Sequence, residues 1–211
     1  MRIAIILFTI CLASCATQNI NKNYDVANMG GKAILFGSIT QTEASGTDNA
    51  YGTVSYSGPM SGYLQTRTFT MPILIPFDKS EFEDVTGKIF VIEVDPGEYS
   101  FDRWAASNGT GAGFYPKENP KPLVYSLKAG QVNYVGNIHF ELLTGDNIFG
   151  IDITHNAFAV LENNLERDSK IFQSKFTKLQ GLEVVNLVKE TGIWGKGLQN
   201  IKKEVHIPQT N

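Results

Sequence analysis

The side chains able to do chemistry are few enough in this chain of 211 residues to be weighed one by one. Three histidines, His139, His155 and His206, are the candidates for a metal ligand or a general base. None belongs to an HExxH pair, the spacing that sets two imidazoles on one helical face. His139-Phe140-Glu141 matches the HxE of a zinc deaminase, but the PCxxC that would complete that site is absent. Alternation instead puts His139 and Glu141 on the polar face of a strand, and no metal is expected. Serine chemistry lacks both the GxSxG elbow and the SxxK pair. Gly109-Thr110-Gly111-Ala112-Gly113 has the composition of a phosphate loop, yet Phe114-Tyr115-Pro116 follows where a helix N-terminus is needed. It reads as a strand connector. Asp78, Glu81, Glu83 and Asp84 are oxygen ligands without the spacing of a calcium loop, so they read as a solvated acidic stretch. Tyr51, Tyr56, Tyr63, Trp104, Phe114 and Tyr115 could stack on sugar rings. Trp104 and Tyr115, on either side of the Gly-rich loop, are the candidate ligand contacts. No catalytic residue is assigned and no cofactor is implied.

One cysteine carries a sharper message. Arg2 precedes the apolar run Ile3–Leu12, and then come Ala13, Ser14 and Cys15. The run is about half the ~20 residues that a membrane span needs, and it has the length of a signal h-region. Leu12-Ala13-Ser14-Cys15 resembles the lipobox of bacterial lipoproteins. That resemblance implies a thioether to diacylglycerol at the Cys15 sulfur, cleavage before Cys15 and acylation of the new amine. Ordinary secretory cleavage near Ala16 is the rival reading. Loss of residues 1–14 would remove Cys11 and leave no disulfide, so the fold must hold through its core. Ala16 stands where the Gram-negative pattern has the Asp that retains lipoproteins in the inner membrane. The expectation is therefore the outer membrane, facing the periplasm, with the lipid on Cys15 as the membrane contact.

The elements that must position these residues are mostly strands. The chain is 42% hydrophobic with 20 Gly and 8 Pro, and short β-prone runs recur about every ten residues between turn clusters. Candidate strands are Lys32–Thr40, Tyr63–Thr70, Lys88–Val94, Tyr99–Ala105, Pro122–Leu127 and Val132–Leu142. In the last, Val132, Tyr134, Ile138, Phe140 and Leu142 share an apolar face and Asn133, Asn137, His139 and Glu141 a polar one, as in a half-buried strand. Asp95-Pro96-Gly97-Glu98 reads as a turn. Ile148–Thr154 and Ala157–Leu161 read as a pair around His155-Asn156. One helix is expected after Asn163-Asn164-Leu165-Glu166, with Leu165, Phe172, Phe176 and Leu179 on its packed face and Gly181 ending it. Leu182–Val188 could be a last strand. The divisions are 1–14 signal peptide, 15–30 flexible tether of at most ~50 Å reach, 31–190 globular domain and 191–211 loosely ordered tail. A net charge of -3 and pI ≈ 5.6 argue against nucleic acid as a partner.

Val94–Phe101, with its Pro96-Gly97-Glu98-Tyr99, is similar to the PGxY turn of transthyretin-like and carboxypeptidase-regulatory-like sandwiches. Ala129–Ile138 resembles the AGxxxYxGxI strand of uncharacterised bacterial envelope lipoproteins carrying such a sandwich, and Asn163–Asp168 resembles their helix start. The resemblance implies a mainly β, antiparallel β-sandwich, transthyretin-like or Ig-like, with one C-terminal α-helix packed on it. It transfers no active site. The reading is a non-enzymatic lipoprotein that touches another envelope protein through loops Ala106–Pro120 and Gln41–Gly62. A glycan- or peptidoglycan-binding lipoprotein, and more weakly a hydrolase with a non-motif site, are the alternatives.

Overall fold

The computed structural model describes residues 19–43, 49–67, 79–108, 112–195 and 198–201. Within them, β1 (Ala33–Gln41) is buried at every position, because it lies inside a three-layer stack. It sits between β4 (Thr86–Val94) and β8 (Val132–Asp146), and that sheet continues through β9 (Asp152–Glu162) to β11 (Gly192–Trp194). The short β10 (Val184–Asn186) joins the first residues of β8. A second sheet runs β3 (Gly62–Gln65), β2 (Tyr51–Ser57), β5 (Gly97–Ser107), β6 (Gly113–Pro116) and β12 (Leu198–Ile201), with β7 (Leu123–Leu127) on the first half of β5. The expected sandwich is what forms. The first sheet is mixed, since β1 and β10 run parallel to β8 while the other pairs are antiparallel.

Leu35, Ile39, Phe90, Ile138 and Phe140 meet Val54, Tyr56, Phe101 and Trp104 between the sheets. On the opposite face of the first sheet, Ile34, Phe36, Ile89, Val91 and Tyr134 receive Phe172 of helix α1 (Leu165–Lys175) and Phe176 just past its end, with Leu179 from the short turn that follows. Phe172 stacks on Phe36 at 4.6 Å. Each such aromatic contributes about 1.5–3 kcal/mol through burial alone. The expected helical stripe is thus the contact face, although the helix ends at Lys175, before Gly181. The expected capping box does not form. Asn164 makes no side-chain cap, and its Nδ2 donates to Glu162 Oε2 instead.

Three expectations are corrected. The strand from Val132 does not keep one apolar face. Gly136, at φ 107°, forms a bulge opposite Gly37, and the bulge shifts the alternation by one residue. Val132 and Tyr134 therefore face the helix, while Ile138, Phe140 and Leu142 face the other sheet. A Cβ on Gly37 would come within 2.4 Å of the Gly136 carbonyl oxygen, which explains a glycine there. The turn expected at His155-Asn156 lies at 147–151, and β9 continues through both residues, with His155 at a bulge opposite Leu143 and Thr144. Asn147 Oδ1 accepts from the backbone N–H groups of Phe149 and Ile151 and closes that loop. The third correction concerns the ends of the domain. Asn19 and Ile20 hydrogen-bond to β4, Met29 is buried, Trp194 is buried against the core and 198–201 pair with β6, so the described residues 19–30, 191–195 and 198–201 belong to the fold.

Candidate functional site

Beneath α1 lies a connected set of polar side chains in the middle of the stack. Ser38 and Thr40 point to the helix side of β1, and the bulge at Gly136 swings Asn137 and His139 to the same side. The Asp168 carboxylate, fully buried, closes the set from above. Its Oδ2 accepts from Ser38 Oγ at 2.6 Å and from the Tyr134 hydroxyl at 2.8 Å, and its Oδ1 accepts from Arg167 Nε at 2.9 Å. Burial, followed by the charge of Asp168, pushes the Tyr134 phenol well above its ordinary range, so it stays protonated and donates. Arg167 also donates to Ser38 Oγ at 3.1 Å and lies 4.3 Å over the Phe82 ring. Asn137 Nδ2 donates to Glu162 Oε2 at 2.7 Å, extending the set to β9.

The hydroxyls here are spoken for. Ser38 is inaccessible, and its proton goes to a carboxylate that is already fixed by an arginine. Such an arrangement locks α1 onto the sheet, because every group depends on its partner in low dielectric. Sequence reasoning did not single out Ser38 or Asp168. One signal was available: three residues after Leu165 and four before Phe172, Asp168 falls on the packed stripe of the helix and not on its polar face.

The residues singled out from sequence fall in separate places. His139 and Glu141 share a face as expected, with Nε2 to Oε1 at 3.5 Å, and His139 Nδ1 lies 2.8 Å from Thr40 Oγ1. His155 is exposed on β9, and His206 lies outside the described residues. Among the described residues, no three His, Cys, Asp or Glu side chains converge as a metal site. Of the acidic stretch, Asp78 lies outside the described residues, and Glu81 pairs with Lys175 while accepting from Ile89 N at 2.9 Å. Glu83 and Asp84 are exposed. Gly109, Thr110 and Gly111 are outside the described residues, as are Cys15 and the residues before it.

Trp104 and Tyr115 do come together, around a recess of about 450 Å³ that Arg103 and Asn119 also line. Trp104 is nevertheless a core side chain and not an open stacking platform. It is 4% exposed, packs its edge on Phe140 at 5.9 Å and donates Nε1 to the Trp194 carbonyl at 2.7 Å. The alternation of β5 explains this. A bulge at Asp102-Arg103 sends Phe101 and Trp104 to the same, inner side and leaves Arg103 and Ala105 outside. Tyr115, half-buried, is the ring left to the recess.

Among the described residues, three exposed apolar side chains gather elsewhere, at the end of the β8–β9 hairpin. Ile148, Phe149 and Ile151 are 62%, 78% and 45% exposed on the loop that Asn147 organises. At its neck Asp146 faces Asp152 across the strands. A hydrogen bond with Asp146, then its charge, raises the Asp152 carboxyl above the usual range. A group whose folded value is raised adds stability below the unfolded range and loses it as pH climbs through the folded value. Amide exchange in 147–151, corrected for intrinsic rate, is accordingly expected to be slower near pH ~4 than at neutrality. Asp152→Asn should flatten that difference; an unchanged pH dependence in this variant removes the shared proton from the account.

No family model matches the chain, and no curated protein and no solved structure is similar enough to count as a match. What the molecule does must therefore be argued from its own residues.

Proposed function

We propose that this chain is a lipid-anchored, non-enzymatic β-sandwich of the bacterial envelope, held through Cys15 on the outer membrane facing the periplasm, where it binds another envelope component. The observation that carries the binding role is the hairpin tip. A loop braced by its own asparagine presents Ile148, Phe149 and Ile151 to water, a cost that a partner surface would remove. This shifts the expected contact surface from loops Ala106–Pro120 and Gln41–Gly62 to 147–151.

The anchoring half rests on the Leu12-Ala13-Ser14-Cys15 motif, and the placement of Asn19 sharpens it. Asn19 Nδ2 donates to Ile89 O at 3.2 Å, and Val91 N donates back to Asn19 Oδ1 at 2.8 Å. Only Ala16, Thr17 and Gln18 lie between Cys15 and Asn19, and the four chain steps reach at most ~14 Å. The domain would then ride close to the bilayer instead of on a ~50 Å leash. Mass spectrometry of the mature N-terminus should find Cys15 first, carrying diacylglyceryl and an amide-linked acyl chain. A mature chain starting elsewhere, or with an unmodified Cys15, overturns the anchor. For the binding role, a photo-crosslinking residue at position 149 is expected to give discrete adducts in cells. Adducts no stronger than those from an exposed position such as Glu98 overturn the tip as a contact.

A glycan reading keeps one supporting feature, the recess beside Tyr115 with Arg103 and Asn119. Its test is sedimentation with purified cell wall. Tyr115→Ala should pellet less if the recess binds glycan, and equal pelleting dismisses the idea.

A further inference from the structure

The tip of the β8–β9 hairpin and the start of the described chain lie toward the same end of the first sheet. Strand β4 runs from Thr86 to Val94, and the segment after Asn19 descends beside it in the same direction. Ile20 N donates to Val91 O, and the Tyr24 hydroxyl donates to Glu93 Oε2 two residues further along β4. The start of that segment therefore points to the Thr86 end of the strand. Thr86 pairs with Gln41 of β1, and Gln41 pairs with Phe140 of β8. From that row β8 runs on to Asp146, and among the described residues only β9 pairs with it there. The hairpin thus projects as a prong, and the steps from Phe140 to Asn147 carry its loop about 23 Å past the row.

Where the anchor sits says what the tip meets. Cys15 lies within ~14 Å of Asn19. On the anchoring reading above, on which this inference rests, the bilayer is therefore held near the end of the sandwich that carries the prong. We propose that Ile148, Phe149 and Ile151 insert into the bilayer that holds the Cys15 lipid, as a second membrane contact. The loop is braced before it binds, since Asn147 Oδ1 accepts from Phe149 N and Ile151 N, so little ordering remains to oppose insertion. No Lys or Arg lies between Leu142 and Ala157, so entry is driven by apolar area removed from water and not by attraction to anionic headgroups. Asp146 and Asp152 face each other at the neck, one residue behind the loop on each strand. Carboxylates resist the acyl layer, so insertion stops at the depth of the tip, about 5–10 Å. One lipid contact leaves the domain free to swing, whereas two fix its tilt on the membrane.

The experiment uses the full chain reconstituted in phosphatidylcholine vesicles. A fluorescent reporter is introduced as Phe149→Trp or, at the opposite end of the sandwich where β5 begins, as Glu98→Trp. Trp104 and Trp194 are buried and supply the baseline emission. Phosphatidylcholine brominated on its acyl chains is expected to quench at least about half of the emission that Phe149→Trp adds, and to leave Glu98→Trp unchanged. Adding Ile148→Ser and Ile151→Ser to Phe149→Trp should weaken the quenching at least about twofold. Equal quenching at the two positions, or none in Phe149→Trp, overturns the insertion. Quenching that appears only after phosphatidylglycerol is added overturns the apolar mode of entry. The intact mass of the same sample reports the anchor separately. A bare Cys15 alongside selective quenching of Phe149→Trp ends the anchor reading and upholds the tip. An acylated Cys15 without quenching leaves the anchor standing and overturns the lipid contact of the tip.

Discussion

Replacing Asp168 by alanine should cost the fold about 3–5 kcal/mol at neutral pH. The carboxylate is completely buried and accepts from Ser38, Tyr134 and Arg167. Removing it leaves the Tyr134 hydroxyl without an acceptor, costs Ser38 the nearer of its two acceptors, Asn137 Oδ1 at 2.9 Å being the other, and leaves a guanidinium without its ion-pair partner. Arg167 softens the loss, since its side chain is 30% exposed and can turn toward water. Ser38 and Tyr134 cannot, because both are fully buried. Against a typical stability of about 5–15 kcal/mol this is a large fraction. A urea titration should show a lower midpoint at unchanged slope, with α1 loosening in amide exchange. Asp168→Asn, which keeps the volume and one acceptor, should fall between the two. A loss below about 1 kcal/mol would mean that the apolar contacts of Phe172 and Phe176 alone hold the helix.

Trp104→Ala is the second large effect, at about 3–5 kcal/mol. The indole fills the space between the sheets, touches Phe140, and anchors β11 through its bond to the Trp194 carbonyl. Truncation opens a cavity and orphans that carbonyl together. Trp104→Phe should recover most of the packing and lose about 1 kcal/mol for the hydrogen bond. Limited proteolysis near 192–195 should accelerate in the alanine variant, because β11 pairs with β9 through only three residues. If Trp104→Ala melts like the parent protein, the residue is not the core member described here.

How much of this was legible before the fold was seen differs by feature. Short strands at regular spacing, a helix from Leu165 and its Phe172, Phe176 and Leu179 face could be read directly, because local periodicity reports which side of an element is buried. Strand β2 escaped notice. Thr53 and Ser55 alternate with Val54 and Tyr56 in a stretch where Gly and Ser masked the pattern. The tip at 147–151 was misread because Ile148, Phe149 and Ile151 look like strand residues, and only the Asn147 side chain makes them a loop. Trp104 looked like a recognition ring because a Gly-rich run follows. A bulge two residues earlier reversed its side, and no local signal marks that bulge.

Amino-acid order alone determined the class of fold and the helix with its packed face, and it holds the Leu12-Ala13-Ser14-Cys15 motif on which the anchoring proposal rests. Those features depend on neighbours a few residues apart. The tertiary structure decided which side of β8 each residue takes past Gly136 and how Asp168 meets Ser38 across 130 positions of chain. Such meetings are set by strand register and by the order of strands in a sheet, and a single residue of slip would have sent the same side chains to the opposite face.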